Sequence, residues 1–262
     1  MDILEIENLI AKELQFEERD KILQKQVKVL QKINHLILTE YMIKIGDLHL
    51  YPIEVEAYYY KELSFPDTTV HRNELQKNHF NQLYFHRAGR KEDSSLLYDE
   101  GGIDICLSLG DYYFGVLIRS ARVNVEEKPI CGPGLLTRRI VAHICKKEDG
   151  IIQITDEERS IIRTWEEETE EVLVQAEDDK RDKEFILNGK RWGINEEIHK
   201  PFSEYNLRSL IELKHKQHPF KGKEQMVIQH FQEIKKDGGV VTRDDVFKVL
   251  GWNAQIVFKA LG

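Results

Sequence analysis

The sequence predicts a mixed α+β fold, with an antiparallel sheet, helices at its periphery and a small helical unit at the C-terminal end. Three observations predict it. Leu23, Val27 and Leu30 recur at i, i+4 and i+7 among Lys, Gln and Glu, so residues 7–34 read as a helix. β-Branched and aromatic residues dominate from Leu36 to Tyr60, with a turn signal at Gly46-Asp47, and strand patterns resume at Ile103–Leu109 and Tyr112–Val123 around the hairpin-like Gly110-Asp111. The chain turns helical again from Lys223 to Leu261. These shifts divide it into an N-terminal helical segment (1–34), a central α+β domain (35–210) and a helical tail (211–262).

Between the strands, residues 61–100 are polar and read as mostly irregular. Gly132-Pro133-Gly134 punctuates the chain, a helix is expected over Leu135–His143, and Ile151–Ile154 fits a short strand. Thr155 followed by Glu158 has the capping-box spacing, and the acidic stretch to Glu184 is expected to be helical or partly disordered. In the tail, Asp237-Gly-Gly239 stops an amphipathic helix (Lys223–Lys236), Thr242 caps Arg243–Leu250, and Gly251 precedes a last helix. Three short helices of this kind suit either a helix-turn-helix unit that binds DNA or a packing appendage.

A chain of 262 residues can bury a sizeable core without covalent staples. Its longest apolar runs, such as Gly115–Ile118, are too short to span a bilayer, and Met-Asp-Ile-Leu-Glu has no basic leader. Three cysteines (Cys106, Cys131, Cys145) without CxxC spacing fit free thiols in a reducing compartment. An intracellular monomer with no membrane partner is the expectation. The net charge of −8 is local: residues 155–185 hold thirteen acidic and five basic side chains, and the rest of the chain carries 33 of each sign. Basic patches therefore remain possible elsewhere.

The segment richest in chemistry is Tyr51–Tyr60. At period 2, Ile53, Val55, Ala57 and Tyr59 share one strand face, and Glu54, Glu56, Tyr58 and Tyr60 share the other. That second face is open to two readings. One is a solvent face with tyrosines alongside. The other is a carboxylate in an aromatic pocket, where burial tunes it as a base and the rings offer stacking faces for a flat ligand. Further on, His71–Lys91 carries Arg72, Lys77, Arg87, Arg90 and Lys91 with His71, His79 and His86. A basic loop with interleaved rings suits a phosphate backbone, and an ordinary solvated loop is the alternative. The histidine spacing matches no common zinc pattern, so no metal is expected. Asp104, between Ile103 and Ile105, points away from the apolar face of its strand and is expected to be exposed, with a site role as the alternative.

Several short stretches, in order, resemble the alkyladenine (3-methyladenine) DNA glycosylases that lack a helix-hairpin-helix. Glu54-Val-Glu-Ala-Tyr58 is similar to the family's Glu-Thr-Glu-Ala-Tyr. Pro66-Asp67 with His71, Val116-Leu-Ile-Arg-Ser-Ala121, Cys131-Gly-Pro-Gly-Leu-Leu136, and Arg191-Trp-Gly-Ile194 with Lys200-Pro-Phe202 resemble its later motifs. The resemblance spans about residues 36–208. It implies a curved antiparallel sheet and a monofunctional enzyme that flips a modified base, an alkylated purine by family, out of DNA and hydrolyses its N-glycosidic bond without metal or cofactor.

Residue by residue, the resemblance implies that Glu56 is the water-activating base. Arg119 would stand beside the water, and Tyr58 and His71 would contact the flipped base. The family's tyrosine-rich strand is not recognisable. Leu83–Arg90 stands in its place, with Tyr84 and His86 as candidate stacking rings and Phe85 as a candidate wedge. Asp104 or Ser108 lies nearest in order to the family's base-reading Asn. Arg72, Arg87, Arg90 and Lys91 are the expected DNA contacts. Two other classes stay in view: a non-enzymatic nucleic-acid-binding module, and a metal-dependent hydrolase or nuclease using Glu54, Glu56, His71 and Asp104.

Overall fold

A computed structural model describes residues 3–14, 22–92, 94–96, 101–124, 128–147, 155–169, 171–177, 179, 181–211, 214, 222–252 and 254–262. The short strand expected at Ile151–Ile154 lies outside them. The architecture is mixed α+β, and the described strands form one ten-stranded antiparallel sheet.

Two long strands make its spine: β2 (Leu48–Lys61) and β6 (Tyr113–Val123). They pair from Leu50↔Val123 to Tyr60↔Tyr113. Ile53, Val55, Ala57 and Tyr59 are fully buried on one face of β2, as the alternation predicts. The other edge of β2 is shared by three short strands. These are β1 (Tyr41–Ile45), β10 (Arg208–Leu210, opposite Glu56–Glu54) and β3 (Phe65–Pro66). Beyond β6 the sheet continues through β5 (Ile103–Cys106) to β4 (Leu83–Phe85). β7 (Ile130–Cys131) also pairs with β6, β8 (Leu173–Gln175) with β1, and β9 (Leu187–Gly189) with β10. Pro52 lacks a ladder N–H and sits where the β2–β6 register shifts, which is where a strand tolerates proline.

Of the single N-terminal helix expected over 7–34, the described residues form α1 (Leu4–Leu9), which runs into a π-helical turn (Ile10–Leu14), and α2 (Ile22–Thr39), with residues 15–21 outside them. α2 reaches into the stretch read as strand because Ile33, Ile37 and Leu38 continue its buried stripe from Val29 and Leu30. Burial on a helical period outweighs the β-branched composition. Asn34, also buried, donates to the Leu207 carbonyl (3.0 Å), tying α2 to the approach to β10.

The polar stretch 61–100 is more ordered than composition suggests. It holds β3, β4 and α3 (Glu74–Asn78), whose N-cap Asn73 accepts from Leu75 N–H and donates to the carbonyls of Gly89 and Lys91. α4 spans Pro133–Ile144 and packs on β6 and β7. The acidic segment opens with α5 (Asp156–Glu168), on the expected Thr155–Glu158 capping box. It then gives β8 and Arg181, a buried guanidinium that donates to the carbonyls of Ile37, Pro52 and Tyr41. The segment is therefore built into the sheet. The tail forms α6 (Lys223–Lys236), α7 (Arg243–Leu250, capping box Thr242–Asp245) and α8 (Gln255–Leu261), with Gly251 left-handed at φ 72° between the last two. One apolar cluster runs from Ile3 to Val257 and draws on all three segments of the chain.

Arg87 corrects the sequence reading. It does not stand on a basic surface. It is 5% exposed, and its guanidinium grips both oxygens of Glu166, which is also 5% exposed. Removing one partner of a buried pair leaves an uncompensated charge, which typically costs about 3–5 kcal/mol. Arg87→Met should lower the unfolding free energy in urea by about that amount. A loss under ~1 kcal/mol, the value of an exposed pair, would show that Glu166 does not depend on it.

Candidate functional site

The site begins with four buried charges. Glu54 and Glu56 are two residues apart on one face of β2. Arg208 of β10 stands opposite Glu56 in register, and Arg119 comes from β6. Their exposures are 3%, 0%, 1% and 8%. Register explains why Arg119 reaches the carboxylates. Glu54 pairs with Ser120 and Val55 with Ile118, so Arg119 falls in the shift with no residue opposite. A β-bulge re-aims a side chain in this way.

Glu54 accepts from Arg119 Nε (3.0 Å), Arg208 Nε (2.8 Å) and Ser120 Oγ (2.6 Å). Glu56 accepts from Tyr58 OH (2.9 Å), Arg119 Nη1 (3.2 Å) and the backbone N–H of Trp192 (2.8 Å). Two positive and two negative charges thus neutralise one another out of water. Burial lowers the Arg119 pKa, but the Glu56 and Glu54 carboxylates outweigh it and hold the guanidinium above its ordinary value. Burial and then the Glu56 charge push the Tyr58 phenol well up, so it stays a hydrogen-bond donor.

A cleft of about 590 Å³ lies over this cluster. Tyr58, Arg119, His71, His86, Asp104 and Trp192 all line it, together with Gln76. Its size suits a small aromatic ligand. Tyr58 is held from behind by Arg191, whose guanidinium lies 4.6 Å from the ring centre and pairs with buried Asp67 (2.7 Å). On the β5 side, His86 Nδ1 accepts from Gly102 N–H (3.1 Å), which assigns the proton to Nε2, facing Asp104 Oδ1 at 2.8 Å. Asp104 Oδ2 accepts from Gln76 Nε2 (2.7 Å). Gly115 makes room for this arrangement, since a Cβ there would lie 2.7 Å from Asp104 Oδ2.

The structure therefore brings Glu56, Arg119, Tyr58, His71, His86 and Asp104 to one place. Four expectations change. Asp104 is 2% exposed, because its polar face lies under the cleft and not in water. Tyr84 is fully buried behind His71 and His86, its hydroxyl 3.5 Å from His71 Nδ1, and does not line the cleft. Phe85 is buried against Trp165 (ring centres 6.1 Å apart) and cannot wedge into a duplex. Arg87 is the buried partner of Glu166 described above. Arg90 and Lys91 are exposed, and Arg72 lies 4.7 Å over the Tyr60 ring.

Gln76 and Trp192 had no role assigned from sequence. The only sign of Trp192 was its place between Arg191 and Gly193, and Gln76 gave none. Glu54 and Glu56 face arginines and not His71 and Asp104, so these four do not form the donor set that the alternative metal-hydrolase reading requires. Among the described residues no group of three His, Cys, Asp or Glu side chains could hold a metal ion, and no helix is long and apolar enough to cross a membrane. No protein-family model matches the chain, and no curated protein matches it.

The outer edge of His71 is exposed at the cleft mouth, while its inner face packs on His86 with ring centres 4.2 Å apart. Burial of that face, then the neighbouring His86 ring, lower its pKa from 6.5 to about 4, against the pull of Asp104. A depressed histidine pKa means that the folded state resists protonation. The associated stability is present above the unfolded value near 6.5 and is lost as pH falls from there toward 4. His71 should stay neutral across the physiological range, and its ring proton shifts in an NMR titration should move only in the acid region. A midpoint near 6.5 would show that the inner face is solvated.

Proposed function

We propose that the cleft is a nucleobase pocket and that the protein is a monofunctional DNA glycosylase, excising a modified base of the alkylated-purine class. One observation carries the reading: Glu56, itself fully buried, is held by three donors from Tyr58, Arg119 and Trp192, and those three residues line the cleft together with His71. Ring walls suit a flat ligand that must leave the stack to be reached. Breaking an N-glycosidic bond develops oxocarbenium charge on the sugar. A preorganised carboxylate stabilises that charge and orients the attacking water.

Glu56 is closed off, with Tyr58 OH on the oxygen that also meets Arg119. In the proposed cycle the entering base displaces the Tyr58 ring and frees that oxygen for water. Arg119 and the Trp192 N–H keep the carboxylate in place. The same closure favours a second reading, a nucleic-acid-binding module in which the charge cluster only holds β2, β6 and β10 together.

Glu56→Gln separates the two readings. It is isosteric and leaves Glu54 to hold both arginines, at a cost in stability because the quartet then keeps one uncompensated positive charge. A general base contributes about 10²–10⁴-fold, so excision from DNA carrying alkylated purines, read by alkaline cleavage of abasic sites, should fall by that order with DNA affinity kept. Glu54→Gln should instead act on stability, because Glu54 contacts both guanidiniums and Ser120. Full excision by the Glu56→Gln protein would sink the mechanism. No excision by the wild-type protein from any alkylated or deaminated strand would favour the binding module.

A further inference from the structure

A second cleft, of about 810 Å³, lies beside the first and has no place in the mechanism above. Its apolar walls are Tyr60, Tyr113, Pro66, Pro201, Phe202 and Leu63, the last 94% exposed. The two clefts draw on neighbouring residues of three stretches of chain. Tyr58, Thr68 and His199 line the first, and Tyr60, Pro66 and Pro201 line the second. On α3, neighbouring residues divide between them, Gln76 in the first and Lys77 in the second.

Arg72 follows His71 of the first cleft directly and lies over Tyr60 of the second. Among the described residues it makes no ion pair, and its Nε is buried without a hydrogen-bond partner. It also holds φ at 53°, a left-handed conformation that is uncommon for a non-glycine residue and costs free energy. This strained residue, which lines neither cleft, stands next to His71 of the first and carries its guanidinium against the Tyr60 ring of the second. Tyr58 and Tyr60 are two residues apart on one strand face, about 6.8 Å by strand rise. That is twice the ~3.4 Å rise of stacked bases in one strand. Two bases at this separation cannot stack on each other and must each stack on protein.

We propose that the two clefts take two consecutive nucleotides of an unpaired DNA strand, the second base stacking on Tyr60 and Tyr113, with Arg72 holding the phosphate between them. This rests on the reading of the first cleft as a nucleobase pocket. It makes the protein a single-strand reader, because a base in the second cleft has left its partner strand.

Binding is measured by fluorescence anisotropy with a labelled 12-mer oligothymidylate, alone and annealed to 12-mer oligodeoxyadenylate. Excision from single-stranded and duplex DNA carrying alkylated purines is followed in parallel. The single strand should bind at least tenfold more tightly than the duplex. Base–aromatic stacking is worth about 1–3 kcal/mol, so Tyr60→Leu should weaken single-strand binding roughly 5- to 150-fold, while Tyr60→Phe should keep it. Arg72→Gln should flatten the log–log salt dependence by about 0.7, the loss of one single-strand phosphate contact.

Duplex preference overturns the proposal, as does wild-type binding by both Tyr60→Leu and Arg72→Gln. So does failure of either DNA to bind, including the case where a decaproline peptide binds instead and marks the second cleft as a peptide groove. Excision with duplex preference overturns this proposal and leaves the glycosylase standing. Single-strand binding through Tyr60 and Arg72 without excision does the reverse.

Discussion

The structure depends on a quartet of charges taken out of water. Glu54, Glu56, Arg119 and Arg208 come from three strands and are each less than a tenth exposed. No single pair among them would compensate the cost of burying ions. Together they are neutral, and Ser120, Tyr58 and the Trp192 N–H meet further carboxylate oxygens. β10 is three residues long and could not hold its position by ladder bonds alone. Arg208 locks it to β2, and β9 pairs in turn with β10. The same quartet fixes the carboxylate that the cleft overlies, so Glu56 serves the sheet as well as the cleft.

Much of this was legible in the chain. Alternation along Tyr51–Tyr60 assigns both faces of β2 correctly, because a spine strand has one apolar face buried along its length. Caps at Thr155 and Thr242 and the stop at Gly251 are local signals, and the structure keeps them. What alternation cannot tell is whether the polar face of a strand meets water or a lid of protein. Asp104 shows this. It points away from the apolar face, as its neighbours Ile103 and Ile105 require, yet Gln76 and His86 cover it.

Charge counting fails for a related reason. Arg87 looks like one more cation in a basic loop, but its partner Glu166 lies 79 residues away. The separation hides the pair from any local window. α2 was misread at its C-terminal end because Leu36-Ile-Leu38 suits a strand by composition, and only its packing on β2 and β10 makes it helical. Trp192 and Gln76 reach the cleft from segments with no periodic signature, so geometry alone reveals them.

The wall that closes the first cleft is not made by the sheet alone. Gly222, at the start of α6, lies so close to the Trp192 ring that a Cβ there would be 2.7 Å from it, and its φ of 71° also favours glycine. Arg208 stands 6.0 Å from the centre of the same indole. The backbone N–H of Trp192 in turn holds Glu56. The start of α6 therefore packs against two residues, Trp192 and Arg208, that both contact the buried carboxylates. A side chain at position 222 would press on the indole whose backbone N–H holds Glu56.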